Sequence, residues 1–266
     1  MIKYILFISI IVYLVPPCIA DLDATQLVKK AVKNMQGTTY TCHKVKLIIV
    51  RPGKKIIRTM LVHYGGKKYT LVHIIKPVRD KNTTILKRNN SLWIYSPKIR
   101  KIMRVPFVDM KESVFDSDFD YNDIVKSSTM GDDYIHKIVG ISKIFRTYGK
   151  VYVIEMFTEH DICGTYAKLR AWVRKKDTSF FYIQYYNYSN SKLKIDRILK
   201  YSQFKTIDNR YISTKWTMYN NNKKGYYTIY KIEDAMYNDN NLNHIFKLRT
   251  LKNPPKDPFI VNKKSK

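Results

Sequence analysis

Apolar residues recur along this chain with two periods, and the switch between them divides it. Leu27, Val28, Ala31, Val32 and Met35 are spaced for one face of a helix, Asp23 and Gln26 stand three apart as a capping box, and Gly37 sits where a terminating glycine belongs. One amphipathic helix over residues 24–35 is therefore predicted. From Thr38 onward the period becomes two. Candidate strands cover residues 40–50, 55–64, 67–75, 84–88 and 92–95, with a weaker one at 101–105, and turn residues fall between them at Arg51-Pro52-Gly53, Gly65-Gly66 and Asn89-Asn90. A second series follows at 134–145, 150–158, 166–175, 180–188, 192–204, 211–219 and 226–232. With no helical pattern between most of them, these strands predict an antiparallel sheet that has to curl or be covered. Alternation is clearest at 166–174, where Ala167, Leu169, Ala171 and Val173 share one face and Trp172 lies on the other.

The ends of the chain read differently. Lys3, an uncharged apolar run over residues 4–15, Pro16-Pro17 and Cys18-Ile19-Ala20 have the organisation of a secretory signal cut after Ala20. The rival reading, a lipoprotein signal that retains Cys18, fits less well with Pro17 before the cysteine. Domain boundaries are expected at 1–20 for the signal, 21–252 for the folded unit and 253–266 for a basic C-terminal tail. Five Lys, three Pro and one Asp make up most of the charge and punctuation of residues 252–266.

Composition changes this picture in few places. The chain has 266 residues, 45% hydrophobic, and a formal net charge of +28. In a cytosolic protein that charge would suggest nucleic acid. Here the signal removes the chain from that compartment and the lysines are spread over most strands, so no nucleic-acid partner is expected. An excess of Lys over Arg with many Asn, Tyr and Ile is what AT-rich coding yields, and a residual share of the charge suits docking on an anionic membrane surface, about 1 kcal/mol for each nearby cation. Cys42 and Cys163 remain after removal of the signal; they either pair in an oxidising compartment or stay as two buried thiols. No nucleophile elbow, phosphate loop, dinucleotide fingerprint or zinc spacing occurs, and four Glu leave few acid–base candidates, so no catalytic residues, metal or cofactor are expected. His63 and His73 could face each other across the Gly65-Gly66 turn, a spacing more typical of a core or surface pair than of a metal site. Residues 109–133 hold eight of the 21 acids. Asp116, Asp118 and Asp120 alternate like the opening of a calcium loop, but Tyr121 and Ser127 stand where that loop needs Gly and Glu. The alternative is a short helix over 121–125 capped by Asp120, its acids favoured by the helix dipole and near Arg100, Lys101 and Arg104.

Leu92-Trp93-Ile94-Tyr95-Ser96-Pro97, then Arg100 and Arg104, then Ser117-Asp118-Phe119-Asp120-Tyr121-Asn122-Asp123 resemble the core motif of the outer-membrane lipoprotein-sorting family (LolA/LolB-like). Pro77 with Thr83-Thr84-Ile85-Leu86, Trp172-Val173 with Asp177, Trp216-Thr217-Met218 and the closing Leu242-Asn243, Phe246 and Leu251 extend the resemblance over residues 40–251. One departure is Asp116, where the family has Gly. The resemblance implies a mainly β (α+β) fold: an unclosed antiparallel half-barrel of about 11 strands, with helices capping its concave face. It further implies a periplasmic carrier in a Gram-negative bacterium, with lipid or an acylated lipoprotein as cargo and an inner-membrane transporter among its partners.

A carrier needs an apolar cleft rather than catalytic groups. Burying an acyl CH₂ is worth ~0.8 kcal/mol, so a sixteen-carbon chain offers on the order of 12 kcal/mol gross. The expected lining is Met60, Val62, Leu71, Trp93, Tyr95, Trp172, Trp216 and Met218, each of which could equally fill the core. Arg100 and Arg104 are expected either to meet a headgroup phosphate or to pair with Asp118 or Asp123, and Ser117, Asp118, Phe119 and Asp123 complete the motif set. Two other readings are a protein-binding or envelope-sensing module on the same half-barrel, and a basic protein that binds envelope polyanions.

Overall fold

The computed structural model describes residues 23–142, 149–158, 166–238 and 242–261. The opening helix, α1(Ala24–Gln36), starts where the Asp23 carboxylate accepts from the Thr25 backbone N–H at 2.8 Å. It stops at Gly37, which takes φ 77° and donates its N–H to the Lys33 carbonyl. A side chain there would strike Thr41 Oγ1, so this stop needs glycine.

Two meanders follow. The first is β1(Tyr40–Arg51), β2(Lys54–Gly65), β3(Tyr69–Lys76), β4(Thr84–Arg88), β5(Ser91–Ser96) and β6(Lys101–Arg104). After α2(Tyr121–Lys126) comes the second: β7(Ile135–Ser142), β8(Val151–Phe157), β9(Lys168–Arg174), β10(Phe180–Ser189), β11(Lys192–Ile207), β12(Arg210–Asn220) and β13(Tyr227–Asn238), with α3(Pro258–Val261) near the end. Within each meander every strand pairs antiparallel with its neighbours in the chain, and β1 pairs β13, giving one sheet in the order β6-β5-β4-β3-β2-β1-β13-β12-β11-β10-β9-β8-β7. The count of 13 equals the number of strands read from the alternation, two more than the resemblance implies. The sheet is open, with β6 and β7 as its edges.

The two faces hold separate clusters. The concave one contains Val45, Leu47, Ile49, Met60 and Val62 from β1 and β2, with Val28, Ala31 and Val32 of α1 and Val125 of α2 packed onto it. The convex one is smaller: Tyr40, Cys42, Leu61, Leu71 and Leu86, covered by Phe246 and Leu251. The terminal segment belongs to this cover. Asp257 pairs with Lys44 at 2.8 Å and Phe259 packs on the convex cluster, so residues 257–259 contact the sheet where a tail outside the core is expected. An aspartate and an aromatic ring supply the contacts that a lysine-rich reading of this stretch overlooks. Burial pushes the Cys42 thiol up to about 12; Cys163, the other cysteine of the pair-or-thiols alternative, lies outside the described residues.

His43 and His63 are both buried within the sheet, His43 edge-on to Tyr64 and His63 in a 2.8 Å hydrogen bond with the Tyr40 hydroxyl. Desolvation lowers His43 to about 3 and His63 to about 4. A histidine held neutral in the fold contributes full stability above its unfolded pKa, near 6.5, and loses it as pH falls toward the folded value. At pH 5 the loss is about 2 kcal/mol for each of the two. Urea unfolding is expected to lose more stability between pH 7 and pH 5 in the parent than in a folded His43→Gln, His63→Gln double variant; equal losses in the two would contradict this burial of neutral imidazoles.

Candidate functional site

Consecutive strands β6 and β7 lie at opposite edges of the sheet, so the chain between them has to travel from one edge to the other. It does so across the concave face: Val114, Phe115, Phe119, Ile124 and Met130 from this crossing segment share a cavity wall with residues of β1, β2 and β9–β13. Short 3₁₀ turns at Phe107–Lys111 and Val114–Asp116 lead into α2.

Arginines from three strands fix the segment. Arg197 on β11 binds Asp120 at 2.8 Å and Asp123 at 2.9 Å, and donates to the Asp118 carbonyl at 2.7 Å. Its guanidinium lies 5.0 Å from the Tyr166 ring centre. Arg51 on β1 binds the Asp118 carboxylate at 2.8 Å and donates to the Asp116 carbonyl. The Thr228 hydroxyl of β13 donates to the same carboxylate at 2.6 Å and accepts from the Asp118 N–H. Arg58 on β2 binds Asp80 and donates to the Phe115 carbonyl at 3.0 Å. The acids also organise the segment itself. Asp120 caps α2 by accepting from the Asp123 N–H, and Asp123 accepts in return from the Asp120 N–H. Ser117 donates to the Phe119 carbonyl and accepts its N–H. Burial pushes the Asp123 carboxyl upward; Arg197 opposes the rise and Asp120 adds to it. Its stability contribution is therefore greatest at low pH and lost as pH rises, the reverse of the histidines.

Beneath the segment lies a cavity of about 130 Å³. Its walls are Met35 of α1, Met60 and Val62 of β2, Tyr201, Trp216 and Tyr230 from the second meander, and the segment's own Phe115, Phe119 and Met130. Trp216 stacks on Tyr230 with centroids 4.5 Å apart, and the Tyr230 hydroxyl is 3.2 Å from that of Tyr64. Buried rings with internally paired hydroxyls leave an apolar surface, and the methionines allow it to change shape.

The structure divides the expected lining. Met60, Val62 and Trp216 reach the cavity, and Met218 is buried in the same concave core without lining it. Leu71, Trp93 and Tyr95 do not face the cavity; they belong to the convex cluster. Strand parity is the reason, since Val72 and Ile74 on β3 and Leu92 and Ile94 on β5 take the inward positions. Trp172 is likewise on the convex side, edge-on to Tyr182 at 5.0 Å, while Ala171 and Val173 point inward. Arg104 stands over Trp93 and donates to Ser91 Oγ, and Arg100 sits in the exposed β5–β6 turn. Asp118 and Asp123 thus pair with Arg51 and Arg197 rather than with Arg100 or Arg104. Those two partners lie 67 and 74 positions from their acids, beyond any local spacing rule. What marks Arg197 is only its place inside a strand pattern in a chain that otherwise favours lysine. Asp116 adopts φ 60°, the left-handed conformation that explains glycine at this point of the family motif.

Residues 66–253 match the model of a protein family described as uncharacterized protein-like. No curated protein matches the sequence. Three solved structures are similar over nearly their whole length. A domain from Vibrio parahaemolyticus described as an outer membrane lipoprotein-sorting protein is 17% identical, with TM-score 0.75, covering 86% of this chain and 98% of its own. A DUF1329 family protein from Desulfovibrio piger is 18% identical, with TM-score 0.76, covering 86% and 97%. A LolA superfamily protein from Nitrosomonas europaea is 18% identical, with TM-score 0.72, covering 85% and 98%.

Replacing Arg197 by Met would leave Asp120 and Asp123 buried without their cation, a loss of about 3–5 kcal/mol. Asp123→Asn keeps an oxygen for the Asp120 N–H and is expected to cost far less. Urea denaturation of the two variants checks both; a loss below about 1 kcal/mol for Arg197→Met would mean that the pairs do not hold the segment.

Proposed function

Because the chain belongs to the family of uncharacterized proteins matched over residues 66–253, and has the fold of LolA superfamily and lipoprotein-sorting proteins, we propose that it is a non-catalytic carrier of lipid or lipoprotein acyl chains. In this reading residues 1–20 are a signal removed on export. The folded unit works in the periplasm of a Gram-negative bacterium, receiving cargo from an inner-membrane donor for transfer toward the outer membrane. The observation that carries the reading is the apolar cavity between the concave sheet and the crossing segment.

Size decides how such a carrier works. A cavity near 130 Å³ is comparable to one that accepts a single benzene. A long acyl chain therefore enters only if the segment lifts and the space beneath it grows. Polar pins suit that motion. Lifting the segment exposes Arg197, Asp120 and Asp123 to water together, so solvation offsets much of the lost pairing, whereas separating two apolar surfaces has no such compensation. Outside the cavity, Phe107 and Val108 are exposed beside Arg104 and Lys111, a combination suited to an anionic membrane surface.

A second reading, a protein-binding or envelope-sensing module, draws support from β7. That edge strand exposes Ile135, Val139 and Ile141, apolar side chains on a strand whose outer edge pairs with no other strand among the described residues.

Val62→Trp fills the cavity from a position on its wall. The mature protein is expected to take up a fluorescent palmitate analogue at one per chain, and Val62→Trp to weaken uptake at least tenfold while its circular dichroism stays that of the parent. Undiminished uptake by the folded variant would place the ligand elsewhere.

A further inference from the structure

A second pocket, of about 200 Å³, opens on the other side of the crossing segment. It shares Ser117, Phe119, Asn122 and Tyr166 with the apolar cavity, so the Phe119 ring and its neighbours form a common wall between them. The chemistry of the two sides differs. The second pocket is lined by Lys111, Asp118, Asp120, Asp196 and Arg197, together with the amides Asn187 and Asn220.

Three of those charges are already engaged in ion pairs. Arg197 holds Asp120, and Asp118 is held by Arg51. Two are not. Asp196 accepts from the neutral amides of Asn187 at 3.2 Å and Asn222 at 2.5 Å, and enters no ion pair among the described residues. Lys111 is exposed and likewise enters no ion pair among them. One cation and one anion therefore face the same space without meeting each other. A single charged group would satisfy only one of them, whereas a ligand bearing both signs satisfies both.

We infer that this pocket receives the head of a zwitterionic amphiphile, its phosphate facing Lys111 and its ammonium facing Asp196, while the acyl chain passes Phe119 into the apolar cavity. The inference rests on the carrier reading and narrows its cargo to a phospholipid-like molecule. The small cavity favours one acyl chain over two. Bridging both spaces requires the Phe119 ring to turn aside, which couples occupation to movement of the segment that carries it.

The test uses the mature full-length chain and three probes in titration calorimetry: palmitoyl lysophosphatidylethanolamine, hexadecanol, and glycerophosphoethanolamine, the head without a chain. The lysolipid is expected to bind at least tenfold tighter than hexadecanol, and the free head at least a hundredfold more weakly than the lysolipid. Combining Lys111→Met with Asp196→Asn, which removes both charges at similar side-chain length, is expected to erase the preference for the lysolipid over hexadecanol. Equal binding of lysolipid and hexadecanol, or an unchanged preference in the folded double variant, overturns the inference and leaves the carrier reading standing. Tight binding of the free head overturns it in favour of a soluble ligand. No binding of any probe with a chain overturns the carrier reading as well.

Discussion

Placing β6 and β7 at opposite edges of one open sheet forces the chain between them across the concave face, and much else follows from that constraint. A curled sheet of this width has an inner face too large for α1 to cover alone. The crossing segment supplies the remaining apolar side chains, so the protein completes its core with a piece of backbone that contains only a six-residue helix and short turns. Backbone of that kind has few internal hydrogen bonds, and its polar groups have to be satisfied by the sheet. Arg51, Arg58, Arg197 and Thr228 do this from four different strands.

The same arrangement gives the carboxylates of the motif a physical meaning. Asp120 and Asp123 each serve twice, as the reciprocal cap of α2 and as partners of Arg197, while Asp118 ties the segment to Arg51 and Thr228 of the sheet. Such a group is costly to mutate singly because its partner is left buried and charged. It is far less costly to open as a unit, because all the charges reach water together. On the carrier reading proposed above, pins of this kind would let the covering segment lift as a unit, which apolar packing alone would not favour.

Much of the architecture was legible in the chain. The change of period after Thr38, the glycine stop of α1, the Asp120-capped helix and the strand runs all follow from local chemistry, and the resemblance around Trp93 and Ser117–Asp123 pointed to an open half-barrel. Leu71, Trp93, Tyr95 and Trp172 stand on the convex side because strand parity, not side-chain size, sets the face; Ala171 and Val173 flanking Trp172 mark the inward one. Large aromatic residues also stand on the convex side because residues 242–261 cover part of it, and no periodicity announces that cover. The arginine pairs and the adjoining polar pocket join residues some 70 positions apart and become visible only once the strands are in register.

The central claim is that the crossing segment lifts as a unit from an otherwise stable sheet. Amide hydrogen exchange on the mature protein tests it most directly, comparing residues 114–130 with the β1–β13 pair, with and without a bound palmitoyl lysolipid. The account predicts that the segment exchanges through an opening well below global unfolding while β1 and β13 remain protected, and that the lysolipid changes exchange in the segment selectively. Segment amides as slow as those of β1 and β13, and unaltered by a lysolipid that binds, would contradict it.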